Sequence, residues 1–271
     1  MHYVSAYYHI PKEKLPHMGI ARYIRLAPET LQMISGFQLS FYYEEEFVAT
    51  LIQRLCEDVG VSVDLIRLPL ADLPRRQEAM RISRTASKSV AESFGRTPKE
   101  KGVAHLRNFE NDGSRVEYED NLSVWLSKID LVLNVISTRH VDDCPVAWID
   151  IGLSKFNFIR SNWAFNHLSG RNDRVLHYGS LMKFQGRRLP LNASFLRAYP
   201  AIWQDLCGRF SEALNGQENS RYPHDEETIL AMVVWSRPCL FECAGKPFDG
   251  KWGKMQYLYN RLLYRRIRAN P

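Results

Sequence analysis

No stretch of this chain approaches the roughly 20 consecutive apolar residues of a membrane-spanning helix, so any membrane contact is expected to be peripheral. The first residues, Met1-His2-Tyr3-Val4-Ser5-Ala6-Tyr7-Tyr8, lack the basic start and apolar run of a secretory signal. Cysteine is sparse: five residues, Cys56, Cys144, Cys207, Cys239 and Cys243, odd in number and scattered. Cys239 and Cys243 sit four apart without the second pair or the histidines of a zinc site, so a reduced, cytosolic protein is expected. The eight histidines show no metal-ligand spacing. There is no Gly-any-Ser-any-Gly elbow, no Walker A loop and no Gly-any-Gly-any-any-Gly, which removes support for hydrolase, P-loop and dinucleotide-cofactor chemistry.

What the chain does have is core material. Its 271 residues are 45% hydrophobic and 24% charged, an ordinary balance that excludes disorder, and the length favours one large domain or one domain with a small appendage. Thirty-six Lys and Arg against 30 Asp and Glu give a net charge of +6, an excess that suits an anionic partner.

Patterning predicts alternating strands and helices through residue 150. Strands are expected at Tyr3–Ile10, Gln38–Tyr43, Val63–Leu68 and Val146–Asp150, each aromatic or β-branched and bounded by turn residues. Pro28-Glu29-Thr30 is read as opening a short helix to Ile34. Phe47, Leu51, Ile52, Leu55 and Val59 give an amphipathic helix closed by Gly60, and Tyr118–Ile136 carries the strongest helical spacing. Residues 75–95 are helix-compatible and basic, and 96–117 are polar and read as a loop. Further on, Val175–Tyr178 is a weaker strand, while Leu196–Leu214, Glu226–Trp235 and Lys254–Arg268 are expected helices. The cadence implies an α/β fold with a largely parallel sheet flanked by helices and a mixed α+β C-terminal half.

The sharpest local signal is Trp148-Ile149-Asp150-Ile151-Gly152. A buried strand delivers an acid at its carboxyl end, where open α/β sheets bind ligands, and then a glycine that admits a ligand close to the backbone. The same acid also reads as a cap for the following turn. Asp225-Glu226-Glu227 opens a helix, where acids complement the dipole; one of them also suits a general base facing an acceptor hydroxyl. His224 beside them is a further candidate base. In the terminal segment Arg261, Arg265 and Arg268 share one face, which suits either the helix C-terminus itself or an anionic surface.

A strand starting at residue 3, Lys128 in the helix before the Trp-Ile-Asp-Ile-Gly strand, and Asp225-Glu226-Glu227 opening a later helix together resemble the HtrL/WlaTC-type bacterial proteins. That family is associated with lipopolysaccharide and surface-glycan assembly and is similar to GT-A glycosyltransferases. The resemblance implies a single GT-A-like domain over residues 1–271, with a nucleotide-sugar-binding half at 1–152 and an acceptor-binding half at 153–271. It implies sugar transfer from a nucleotide-sugar donor to a glycan or lipid-linked glycan, at the inner face of the cell membrane. Ser5, Ala6 and Tyr7 become the nucleotide-facing strand end, with Gly152 beside the donor. Lys128 becomes a diphosphate contact, unless it is a solvated helix-flank residue. Asp150 becomes the acid for a divalent cation, Mn or Mg, although Gly152 stands where many such enzymes carry a second acid. Asp225 or Glu226 would assist the acceptor. The charge also permits hydroxylated DNA bases as acceptor, or a non-catalytic basic module.

Overall fold

The computed structural model describes residues 1–10, 20–87, 93, 100–102, 115–153 and 170–245. A seven-stranded sheet forms the centre. Its strands are β1 (His2–Ala6), β2 (Gln38–Tyr43), β3 (Ser62–Arg67), β4 (Val146–Ile149), β5 (Val175–Tyr178), β8 (Asn192–Ala198) and β9 (Phe241–Gly245). The two remaining strands, β6 (Lys183–Phe184) and β7 (Arg187–Arg188), pair as a separate hairpin. Spatial order is β3-β2-β1-β4-β8-β5-β9. The pairs β1–β2, β2–β3, β1–β4 and β5–β9 are parallel, and β8 runs antiparallel to both its neighbours.

Helices cover both faces. Helices α1 (Ile20–Met33) and α2 (Glu46–Val59) pack Leu31, Ile34, Val48, Ile52 and Cys56 against Tyr3, Phe41 and Ile149. On the other face lie α3 (Arg76–Thr85), α4 (Arg115–Arg139), α5 (Pro200–Asn215) and α6 (Glu226–Ser236), whose core centres on Trp148, Leu126, Val132, Trp203 and Ile229. Burial on both faces explains why the parallel strands are apolar runs rather than alternating ones. The long helix α4 is pinned by Tyr42, whose hydroxyl donates to the Leu131 carbonyl at 3.1 Å, and α5 by Trp203, whose indole donates to the Val146 carbonyl at 3.0 Å. Gly60 ends α2 at φ 70°, with its N–H returned to Cys56 and Glu57; a side chain there would cost about 1–2 kcal/mol. No helix among the described residues is long and apolar enough to cross a membrane.

Several expectations are corrected here. Strand β1 ends at Ala6 rather than Ile10, and Pro28 lies inside α1 instead of opening a helix. Leu196–Ala198 belongs to strand β8, not to the following helix, which starts at Pro200 because proline fits the first helical turn. In the basic segment at 75–95, of which 75–87 and 93 are described, three of the arginines are engaged within the fold. Arg75 makes a two-bonded pair with Asp130 (2.8 and 2.9 Å), Arg76 pairs with Asp120 (2.5 Å), and Arg81 donates to the Glu218 carbonyl at 2.8 Å. These bonds fasten α3 to α4 and to the turn after α5. The expected helix at 254–268, with Arg261, Arg265 and Arg268, lies outside the described residues.

Candidate functional site

Strand order sets where a ligand can enter. The chain proceeds from β1 outward to β2 and β3, then returns to place β4 on the other side of β1. Helix α1 follows β1 on one face of the sheet and α4 precedes β4 on the other, so the strand order reverses between β1 and β4, the place where open α/β sheets bind ligands at the carboxyl ends of their strands. Tyr7 and Tyr8 follow β1 at this edge, and Asp150 follows β4. Because β8 is antiparallel, its first residues, Asn192 to Ser194, reach the same edge: the Asp150 N–H donates to the Ser194 carbonyl at 2.8 Å.

Beneath Asp150 lies a buried charge network. Lys128 projects from the middle of α4 and is 4% exposed. Its ammonium meets Asp150 Oδ1 at 3.0 Å, Glu226 Oε1 at 2.9 Å and the Ala193 carbonyl at 3.4 Å. Three acceptors match the three protons of an ammonium. The Ala193 N–H in turn donates to Glu227 Oε1 at 3.1 Å, and Glu227 Oε2 pairs with Lys101 at 2.8 Å. Lys101 also lies 3.9 Å from Asp225. Two lysines thus serve four carboxylates. Burial lowers the proton affinity of both lysines, but the surrounding carboxylates outweigh it and the net shift is upward, so both stay charged. Burial raises the pKa of Glu226, Lys128 pulls it back, and Asp225 adds to the rise. Glu226 Oε2 is buried with no hydrogen-bond partner among the described residues.

The position of Lys101 is fixed by its neighbours. Glu100, 1% exposed, accepts from Gln185 N–H, from Gly186 N–H (3.2 Å) and from the Tyr222 hydroxyl (2.8 Å). Gly102 lies so close to the chain that an added Cβ would stand 2.3 Å from the Pro223 carbonyl. Sequence reading missed Glu100 and Lys101, which sit in a polar stretch without periodicity.

Each expected site residue among the described residues has a place. Asp225 is fully buried and caps α6: Oδ1 accepts from Thr228 N–H at 3.0 Å, and the Thr228 hydroxyl accepts from Asp225 N–H at 2.9 Å. Glu226 turns inward onto Lys128. Asp150 is the member of the network that reaches solvent, with a quarter of its side chain exposed and Oδ1 also accepting from the Trp148 indole at 2.9 Å. Lys128 is not a solvated flank residue: it is buried, with its ammonium against Asp150, Glu226 and the Ala193 carbonyl. Gly152 is buried in the turn closed by Leu153 N–H on the Asp150 carbonyl at 2.8 Å. Ser5 is buried, and strand alternation turns it with Tyr3 toward the α1–α2 layer, away from Trp148. Ala6 lies on the Trp148 side, and Tyr7 is half-buried with its N–H on the Tyr42 carbonyl at 3.1 Å.

A second group of polar atoms occupies the same edge of the sheet. Tyr8 Oη, His9 Nδ1 and Glu45 Oε2 are buried and have no hydrogen-bond partner among the described residues. Burial raises the Tyr8 pKa, and Glu44 and Glu45 raise it further, so the hydroxyl keeps its proton. The exposed Phe47 ring meets His9 edge-on at 5.8 Å. Unsatisfied buried atoms of this kind are costly unless a ligand or water completes them.

These residues do not fit Mn or Mg. Asp150 Oδ1 is shared by Lys128 and Trp148, and no three His, Cys, Asp or Glu side chains among the described residues are grouped to hold an ion. Such ions need several oxygen ligands, and here an ammonium stands beside the carboxylate instead.

His224, adjacent to the network, is 1% exposed; burial pushes its pKa from 6.5 down to about 4, Asp225 opposing and Arg81 assisting. It is therefore neutral in the fold. A histidine lowered on folding leaves stability intact above the unfolded pKa of 6.5 and lost as pH falls toward 4, because the unfolded chain takes up the proton first. The loss is about 3 kcal/mol. Urea midpoints at pH 7.5 and 4.5 should show a smaller acid loss for His224→Asn than for the parent; equal losses would contradict this origin.

No protein-family model matches this chain, and no curated protein matches it.

Proposed function

We propose that the chain is a nucleotide-sugar-dependent glycosyltransferase of GT-A-like architecture acting on a glycan acceptor. The observation that carries this reading is the carboxyl edge of strands β1 and β4. One solvent-reaching carboxylate is held there by a buried ammonium, and Tyr8, His9 and Glu45 offer, elsewhere along the same edge, buried polar atoms without a hydrogen-bond partner among the described residues. Hydroxyl and amide groups of a nucleoside would satisfy those atoms, with Phe47 as an apolar wall. The largely parallel sheet and its order reversal support the same placement.

In this reading the acceptor hydroxyl gives its proton to Asp150 as its oxygen attacks the anomeric carbon. The bond from that carbon to the diphosphate oxygen breaks, and its electron pair leaves with the nucleotide diphosphate. Lys128 fixes the Asp150 carboxylate and, with Glu226 behind it, sets its orientation. Asp225 serves by capping the helix that presents Glu226.

A thermal-shift panel of nucleotide sugars, with and without Mn or Mg, tests the reading. At a hundredfold excess over Kd, one donor should stabilise the fold by about 2.7 kcal/mol, with or without the metal. A panel in which no nucleotide sugar shifts the transition would sink the proposal. With a donor in hand, Glu45→Gln should weaken its binding about 10–100-fold and Tyr8→Phe about 2–10-fold, following charged and neutral hydrogen bonds respectively. Titration calorimetry checks both, and unchanged affinities would move the nucleoside elsewhere.

A further inference from the structure

The β6–β7 hairpin leaves the ligand-binding edge of the sheet between the end of β5 and the start of β8. Its sequence, Lys183-Phe184-Gln185-Gly186-Arg187-Arg188, contains three cations and no acid. Gln185 (φ 51°) and Gly186 (φ 75°) form a two-residue turn with both residues left-handed, the geometry that matches the twist of paired strands. Glu100 clamps that turn from below through both N–H groups, and Phe184 is buried against Tyr222 and His224. The arm is thus rigidly mounted.

Its outer side is a charged surface with no internal purpose on view. Lys183, Arg187 and Arg188 are exposed, and none forms an ion pair with an acid among the described residues. The Arg187 guanidinium lies over the Trp235 ring, 4.4 Å from its centroid, and the same ring stacks on Phe184 at 5.6 Å. Arg188 Nε donates to the Ser180 carbonyl at 3.0 Å, which steers its guanidinium while leaving further protons for a partner. Leu181, at the base of the arm, is 39% exposed, one of the three large apolar side chains exposed among the described residues.

We propose that this hairpin docks the protein on an anionic membrane surface, with Lys183, Arg187 and Arg188 meeting phospholipid headgroups and Leu181 entering the headgroup boundary. Cations beside an exposed apolar side chain are the composition that binds such an interface. A single-stranded nucleic acid fits less well, since it needs free aromatic faces for its bases. Here Trp235 is half-buried and already engaged by Arg187 and Phe184, and Phe184 and Tyr222 are buried. The proposal stands apart from sugar transfer, since it concerns binding without donor or acceptor. It also places the carboxyl edge of the sheet close to the bilayer.

Vesicle flotation of the full chain tests it, using phosphatidylcholine alone and phosphatidylcholine containing phosphatidylglycerol. The parent should bind the anionic vesicles, bind neutral ones weakly, and be released by salt. Lys183→Gln/Arg187→Gln/Arg188→Gln should weaken partition to anionic vesicles about a hundredfold. Lys183→Gln/Arg188→Gln, which keeps the Arg187–Trp235 stack and so guards against misfolding, should weaken it about tenfold. Leu181→Ser should reduce binding without changing its salt dependence. The proposal is overturned if the parent binds neither vesicle or both equally, or if the variants partition like the parent. Tighter binding to an oligonucleotide through the same three residues would overturn it in favour of a nucleic-acid partner.

Discussion

Lys128→Met should cost about 3–5 kcal/mol of folding stability, among the largest effects available to a single substitution in this chain. The reason is asymmetric. The ammonium enters the protein interior with three acceptors, so its removal takes from Glu226 its one ion pair among the described residues and from Asp150 its contact with Lys128. Burial of an uncompensated carboxylate is the costly part, and Glu226 already holds its proton more tightly than an ordinary glutamate. Two outcomes follow for equilibrium urea unfolding. The single variant should lose stability most at neutral and alkaline pH and less in acid, where Glu226 takes up a proton. The double variant Lys128→Met/Glu226→Gln should recover much of the loss, because the unpaired charge is gone. A single variant as stable as the parent at pH 7 would show that the network contributes no net electrostatic stabilisation.

Much of the frame was legible in the sequence because local and tertiary preferences agree there. The strand at Gln38–Tyr43 and the helix closed by Gly60 were placed within a residue or so. So was the strand before Asp150, because each is an apolar run cut by a turn residue. The failures have separate causes. Strand β8 is buried along its whole length, so it carries no alternation, and its last residues, Leu196 to Ala198, continue smoothly into the helical spacing beyond Pro200. The β6–β7 hairpin is too short for any period to register. Pro28 suggested a helix start, whereas α1 carries it internally.

At the site, Asp150, Lys128 and Glu226 were singled out one by one, but their union was invisible. They lie on β4, α4 and α6, far apart in the chain, and only the crossing of β8 between them brings the three together. A lysine amid apolar helical spacing is the one signal that was present: Lys128 falls between Leu126 and Ile129, both buried. Lys101 and Glu100 gave no signal at all. The basic segment at 75–84 gave a misleading one, since arginines that pair with acids on a neighbouring helix look the same in sequence as arginines awaiting a partner.

Asp150→Asn should lower sugar-transfer turnover by about 10²–10⁴-fold while changing stability by less than about 1 kcal/mol. The two halves of the prediction rest on different atoms. An asparagine oxygen can still accept from the Trp148 indole and from Lys128, and Lys128 keeps Glu226, so neither buried partner is stranded. What disappears is the negative charge at the position that meets solvent, and with it the ability to take a proton from an acceptor hydroxyl. Donor affinity should change little, because the nucleoside atoms assigned to Tyr8, His9 and Glu45 lie elsewhere along the edge. Initial rates at saturating donor, urea midpoints and donor titration on the same variant separate the three quantities. Loss of donor binding together with turnover would make Asp150 a donor contact, as the family resemblance suggests, rather than the acceptor's base. Full turnover in the variant would remove this carboxylate from the chemistry altogether and leave the Lys128 network as a purely structural tie between α4, β8 and α6.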